Sequence, residues 1–151
     1  MNVILDTNVL TRLAQASHPK HTTALDATRR LLSIGRVLCI VPQNLYEFWA
    51  VATRPIVNNG LGLTVQEAKV ELDRIKQSFI LLRDPPTLPD EWEKLIVTYD
   101  CKGKPSHDAR IVAAMQIHGV LEFITFDRQD FTRFAGIRLL DPDAVSTGAA
   151  P

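Results

Sequence analysis

Five short apolar runs, rich in β-branched residues, stand at positions 3–5, 37–41, 79–82, 123–126 and 137–140, and longer segments with helical spacing separate them. This alternation constrains the fold more than any other feature, because strands joined through helices pair in parallel. Runs with so little polar alternation are covered on both faces. The expected architecture is therefore an α/β fold: a three-layer α/β/α sandwich around a central, mainly parallel sheet of about five strands. Helices are expected near 9–14, 22–34, 45–53, 65–77, 89–99 and 107–118, the last with Ser106 as N-cap and Gly119 just past its end.

A chain of 151 residues, 46% of them hydrophobic, has the size and core material of one ordinary domain. The Pro/Gly-rich stretches TRPIVNNGLGL, RDPPTLPDE and CKGKPS read as loops too short to separate two domains. A single domain is expected over 1–145, and 146–151, small and uncapped, as a fraying tail. Seventeen basic residues balance seventeen acidic ones, which excludes a whole-molecule positive field and confines any nucleic-acid contact to a local patch. Cys39 and Cys101 lie far apart and outside any C-x-x-C pattern, as reduced core residues would. With no basic leader and no window near the ~18 apolar residues of a membrane span, a cytoplasmic protein without membrane association is expected.

The acids carry the functional question. Asp6 ends the first apolar run, in NVILDTNVL, where ligands of open parallel sheets bind; helix capping by Asp6, Thr7 and Asn8 explains it equally well. Glu47, in PQNLYEFWAVATR, follows Asn44 in a capping-box-like spacing and falls off the apolar face of Leu45, Phe48, Trp49 and Ala52. Periodicity alone makes it a solvated side chain. Asp108 shares its stripe with Ile111, Val112 and Met115, where an unpaired charge is costly, so function is the better account of it. Asp127 and Asp130 follow the fourth run in FITFDRQDF, as turn formers or as partners of Asp6, and Thr125 could offer one of them a hydroxyl. Together these acids fall at strand ends or in first turns of helices, so they can converge on one sheet edge. Clustered carboxylates must raise their pKa values or hold a cation, and an all-oxygen set suits Mg²⁺ or Mn²⁺. His18, His21, His107 and His118 show no metal-ligand spacing, which makes zinc a poor fit.

An initial strand ending in DTN, a Glu in the helix after the second strand, HDARIVAAMQIHGV with its first-turn Asp, and TFDRQDF after the fourth strand resemble a PIN domain over residues 2–140. The resemblance implies a Mg²⁺- or Mn²⁺-dependent ribonuclease that cleaves RNA by metal-activated water, leaving a 5′-phosphate. It places the metal-binding acids at Asp6, Glu47, Asp108 and Asp127, with Asn8 and Thr125 in support and Asp130 at a variable position for a second metal or a supporting group. Family members of this size are commonly toxins of VapBC-type toxin-antitoxin pairs, which implies a homodimer and a small antitoxin partner. Lys102, Lys104, Arg110 and Arg128 flank the acidic motifs as candidate RNA phosphate contacts, against the plain alternative of solvated side chains. Two other readings compete. A phosphohydrolase of the haloacid-dehalogenase type would use Asp6 as nucleophile but needs a second acid where Asn8 stands, and a non-catalytic binding module would have no use for four retained acids.

Overall fold

The computed structural model describes residues 1–149. The chain runs β1 (Asn2–Leu5), α1 (Thr7–Ala14), α2 (His21–Ser33), β2 (Val37–Ile40), α3 (Pro42–Thr53), α4 (Val65–Ser78), β3 (Ile80–Leu81), α5 (Leu88–Thr98), α6 (Pro105–Ile117), β4 (Glu122–Ile124), β5 (Arg138–Leu140) and α7 (Pro142–Ser146). Two 3-10 turns, Ile56–Asn58 and Arg128–Phe131, interrupt the longer loops. The strands form one sheet in the order β3-β2-β1-β4-β5, and every pairing is parallel. The expectation of a mainly parallel sheet is met and sharpened, since no antiparallel edge strand is present among the described residues.

Alternation along the strands builds the two outer layers. Val3 and Leu5 of β1, Leu38 and Ile40 of β2 and Ile124 of β4 join the core formed with α1, α2, α3, α4 and α7. Ile4, Cys39 and Phe123, one residue out of step, join the core beneath α5 and α6. Both faces are buried, so the strands carry no polar alternation, and Cys39 and Cys101 are free thiols as expected. Part of the tail expected over 146–151 falls on Ala150 and Pro151, outside the described residues. No helix of the described residues is long and apolar enough to cross a membrane.

The chain leaves β1 toward β2 and β3 on one side of the sheet and later fills β4 and β5 on the other. The crossover direction therefore reverses between β1 and β4, and a crevice opens at their carboxyl ends. Gly119 sits past the end of α6 at φ +64°, where its N–H reaches Gln116 O and that of Val120 reaches Met115 O, closing the helix as expected. The start of α6 differs from expectation. Pro105 opens the helix with its preset φ, and Ser106, inside the first turn, donates its hydroxyl to Gly103 O instead of capping.

At the opposite, amino edge of the sheet, Glu122 is buried in β4 and fully paired. Arg36 Nε and Nη2 donate to its two oxygens at 2.7 and 3.0 Å, and Arg138 Nη1 adds a contact at 3.3 Å. Breaking a buried pair by removing one partner costs more than removing both. Arg36→Met should thus lower the urea midpoint clearly, and Arg36→Met/Glu122→Gln should recover part of the loss; a double variant less stable than the single one would contradict this account.

Candidate active site

Asp6 follows β1 directly and Thr125 follows β4, so the reversal of crossover direction brings their side chains together. Asp6 is 8% exposed and Thr125 fully buried. Thr125 Oγ1 donates to Asp6 Oδ2 at 2.6 Å, and the Thr7 N–H donates to Oδ1 at 2.7 Å. The second bond is an N-cap of α1, so capping and site chemistry use one side chain. Thr125 Oγ1 in turn accepts from the Asp127 N–H at 2.9 Å and from Asn8 Nδ2 at 3.2 Å. Asn8 Nδ2 also reaches Asp127 Oδ2 at 3.2 Å, and its Oδ1 accepts from the Phe126 N–H. Asn8 and Thr125 thereby tie the β1 and β4 ends into one polar unit.

Glu47, which periodicity assigns to solvent, is half-buried and faces this unit. Thr7 Oγ1 donates to Oε2 at 2.7 Å and Gln43 Nε2 to Oε1 at 2.6 Å. The helix explains the difference: Glu47, Ala50, Val51 and Arg54 recur at helical spacing and line a cleft, so the face of α3 away from the apolar stripe is covered by the site. Asn44 does cap, but with the Val41 N–H (2.8 Å), and it also donates to Leu5 O and Thr7 Oγ1. Asp108 in the first turn of α6, Asp127, and Asp130 in the following 3-10 turn complete the acidic lining of this cleft of about 490 Å³.

Burial dominates the electrostatics. It pushes the Asp6 carboxyl up from its ordinary 3.8 to about 7, opposed by the Thr125 hydroxyl and reinforced by Glu47 and Asp108. Asp108 rises to about 6, again chiefly through burial, with Lys104 opposing and Asp130 and Glu47 adding to it. No lysine or arginine among the described residues pairs with Asp6, whereas Glu122 at the other edge has two guanidinium groups. Lys104 Nζ does enter the acidic side of the cleft, 3.0 Å from Asp130 Oδ2.

Of the four basic residues expected at RNA phosphates, Lys104 alone lines the cleft. Lys102 is paired with Asp100, Arg110 with Asp84 and Arg128 with Asp141, all outside it. Arg12, Arg54 and Asn59 on the opposite wall are cleft residues that sequence reasoning missed. Gln43, buried at the start of α3, was missed as well; its position four residues before Glu47 was the available signal.

The donor set suits a hard divalent cation, since the side chains at hand are carboxylate, hydroxyl and amide oxygens around a buried acid that lacks a counter-charge. Among the described residues, no three acidic, His or Cys side chains are already drawn together to hold one. Lys104 neutralises part of the cluster, at Asp130. Linkage gives a test that needs no ion. Folded Asp6 holds its proton to about pH 7 and the unfolded residue only to about 3.8, so ionisation favours the unfolded chain between these values. That contribution should lower stability as pH rises from about 4 to 7, by on the order of 4 kcal/mol at about 1.4 kcal/mol per pH unit. Asp6→Asn cannot ionise, so urea midpoints of the variant should gain on wild type across this window and then run parallel. A difference that stays constant from pH 4 to 8 contradicts the buried, uncompensated carboxyl.

Residues 3–137 match the family model of the PIN domain. No curated protein matches the sequence. Among solved structures the chain is similar to VapBC2 from Rickettsia felis, crystallised bound to a DNA fragment from its promoter, with a TM-score of 0.70 at 14% identity over 93% of this chain and 98% of that one. It is also similar to VapC20 from Mycobacterium tuberculosis, described as a sarcin-ricin loop cleaving toxin, with a TM-score of 0.65 at 19% identity over 90% and 98% of the two chains. A toxin-antitoxin complex from Klebsiella pneumoniae gives 0.60 at 21% identity over 93% and 97%. At such identities the likeness is one of fold, and it extends over nearly the whole chain. The family-model match covers most of the sequence, and the chain belongs to the PIN-domain family.

Proposed function

We propose that this protein is a divalent-metal-dependent endoribonuclease and the toxin of a type II toxin-antitoxin pair. The observation that carries the reading is Asp6: a carboxylate buried at the β1–β4 crevice, facing further acids and paired with no cation. Asp6, Glu47, Asp108 and Asp127 would hold Mg²⁺ or Mn²⁺, with Asp130 available for a second ion. A divalent ion bound there supplies a positive charge that makes water acidic enough to attack phosphorus and that stabilises the leaving oxygen.

The chain's own residues set the rest. Thr125 and the Thr7 N–H fix the Asp6 carboxylate in one orientation, and Asn8 holds Asp127 beside it. Lys104 on one wall, and Arg12 and Arg54 on the other, are placed to meet phosphates of a strand crossing the acids. Lys102, Arg110 and Arg128 lie outside the cleft, so phosphates that they meet lie beyond the acids. With no overall positive charge, binding relies on this local rim and on the ion. The toxin assignment rests on the solved relatives, several of which are VapBC or FitAB complexes. By that analogy an antitoxin is the protein partner; a toxin homodimer acting in the cytoplasm is part of the same proposal and rests on the family resemblance and the sequence.

Cleavage of single-stranded RNA should require Mg²⁺ or Mn²⁺, stop with chelator, and leave 5′-phosphate and 3′-hydroxyl ends. Asp6→Asn and Asp108→Asn should each lower the rate by about 10²-fold or more. Activity that survives both chelation and Asp6→Asn, or products ending in 2′,3′-cyclic phosphate, would sink the proposal.

A further inference from the structure

Glu47 has a flexible side chain on the surface of a cleft, yet both of its oxygens are pinned, by Thr7 Oγ1 and by Gln43 Nε2. Gln43 is 6% exposed, and its surroundings dictate which way its amide points. Arg110 Nη1, which can only donate, meets Gln43 Oε1 at 3.2 Å. The His107 carbonyl, which can only accept, meets Gln43 Nε2 at 2.9 Å. With its two ends claimed in this way, the amide can offer Glu47 nothing but an N–H. Arg110 is aimed in turn by Asp84, in the loop between β3 and α5, through a contact of 2.6 Å from Nη2 to Oδ2. Four side chains, Asp84, Arg110, Gln43 and Glu47, thus run in series from outside the cleft to its acidic lining.

We propose that Arg110, acting through Gln43, is a positioning residue that presets the Glu47 carboxylate for cation binding; this rests on the metal-dependent reading above. A Glu side chain loses rotamer freedom when fixed, and a brace that fixes it beforehand takes that loss out of the binding step. Partners that orient metal ligands are typically worth about 10–100-fold in affinity. The sign of the effect separates positioning from simple electrostatics. Arg110 is a cation near an acidic cleft, so by Coulomb's law alone its removal would tighten binding of a divalent ion, whereas loss of positioning weakens it.

The test is a calorimetric titration of the full chain with Mn²⁺, without RNA, for wild type, Arg110→Met, Asp84→Asn, Glu47→Gln and the Arg110→Met/Glu47→Gln and Asp84→Asn/Glu47→Gln double variants. Arg110→Met should weaken binding about tenfold. Asp84→Asn frees the guanidinium but also removes a negative charge, so both effects weaken binding. If Arg110→Met fails to fold, Asp84→Asn carries the test through its dependence on Glu47, the positioning part of its loss vanishing beside Glu47→Gln. In the Glu47→Gln background Arg110→Met should have no further effect. Unchanged or tighter binding in Arg110→Met and Asp84→Asn overturns the positioning role, as does a loss that persists undiminished without Glu47. Absence of Mn²⁺ binding by wild type removes the metal reading and the brace together; binding by wild type with additive losses removes the brace alone.

Discussion

The contact between Asp6 and Thr125 is the interaction on which the rest of the site depends. It exists because the sheet order places β1 and β4 side by side while the chain departs from β1 in the other direction. The crevice this creates is walled by α3 and α6, whose first turns supply Gln43, Asn44 and Asp108, with Glu47 one turn further along α3. The acids converge because of the connectivity: they come from four separate stretches of chain that share one sheet edge.

Two buried acids of the same sheet show how differently a fold can treat a carboxylate. Glu122 is paired with Arg36 and Arg138, an arrangement that serves structure. Asp6 accepts two hydrogen bonds but no ion pair, and its pKa rises toward neutrality. Hydrogen bonds orient the group without supplying the charge that would offset its burial. The result is a preoriented acid whose ionised form is stabilised by a cation from outside the chain, which is what a metal-assisted site needs and a structural site avoids. Lys104 offsets the cluster at Asp130 and Asp108 and is not among the groups that set the Asp6 carboxyl.

Much of this was legible in the sequence. The five strands, the first six helices and the layer order follow from the apolar runs, because a doubly covered parallel sheet has few other ways to be written. Asp6 could be read as cap or as site, and it is a cap within the candidate site. Glu47 was not legible from periodicity, which identifies the apolar stripe of α3 but cannot say whether the opposite face meets water or a cleft; the family resemblance supplied it. The basic residues show the same limit. Arg128 directly follows Asp127, yet the 3-10 turn sends it to Asp141, and neighbours in sequence need not share a direction. Gln43 and Arg110 meet across 67 residues, a contact that no local pattern encodes.

The central claim is that the Asp6 cluster is a cation site whose charge is completed by a divalent ion. Because folded Asp6 titrates near pH 7, binding of an ion below that pH must expel its proton. Counting protons released on Mn²⁺ binding, from titrations in buffers of different ionisation heat, tests this directly. The account predicts release of about one proton or more at pH 6, declining toward zero by about pH 8.5, and loss of both the binding and the release in Asp6→Asn. Binding without proton release at pH 6, or release that is the same in wild type and Asp6→Asn, would contradict it.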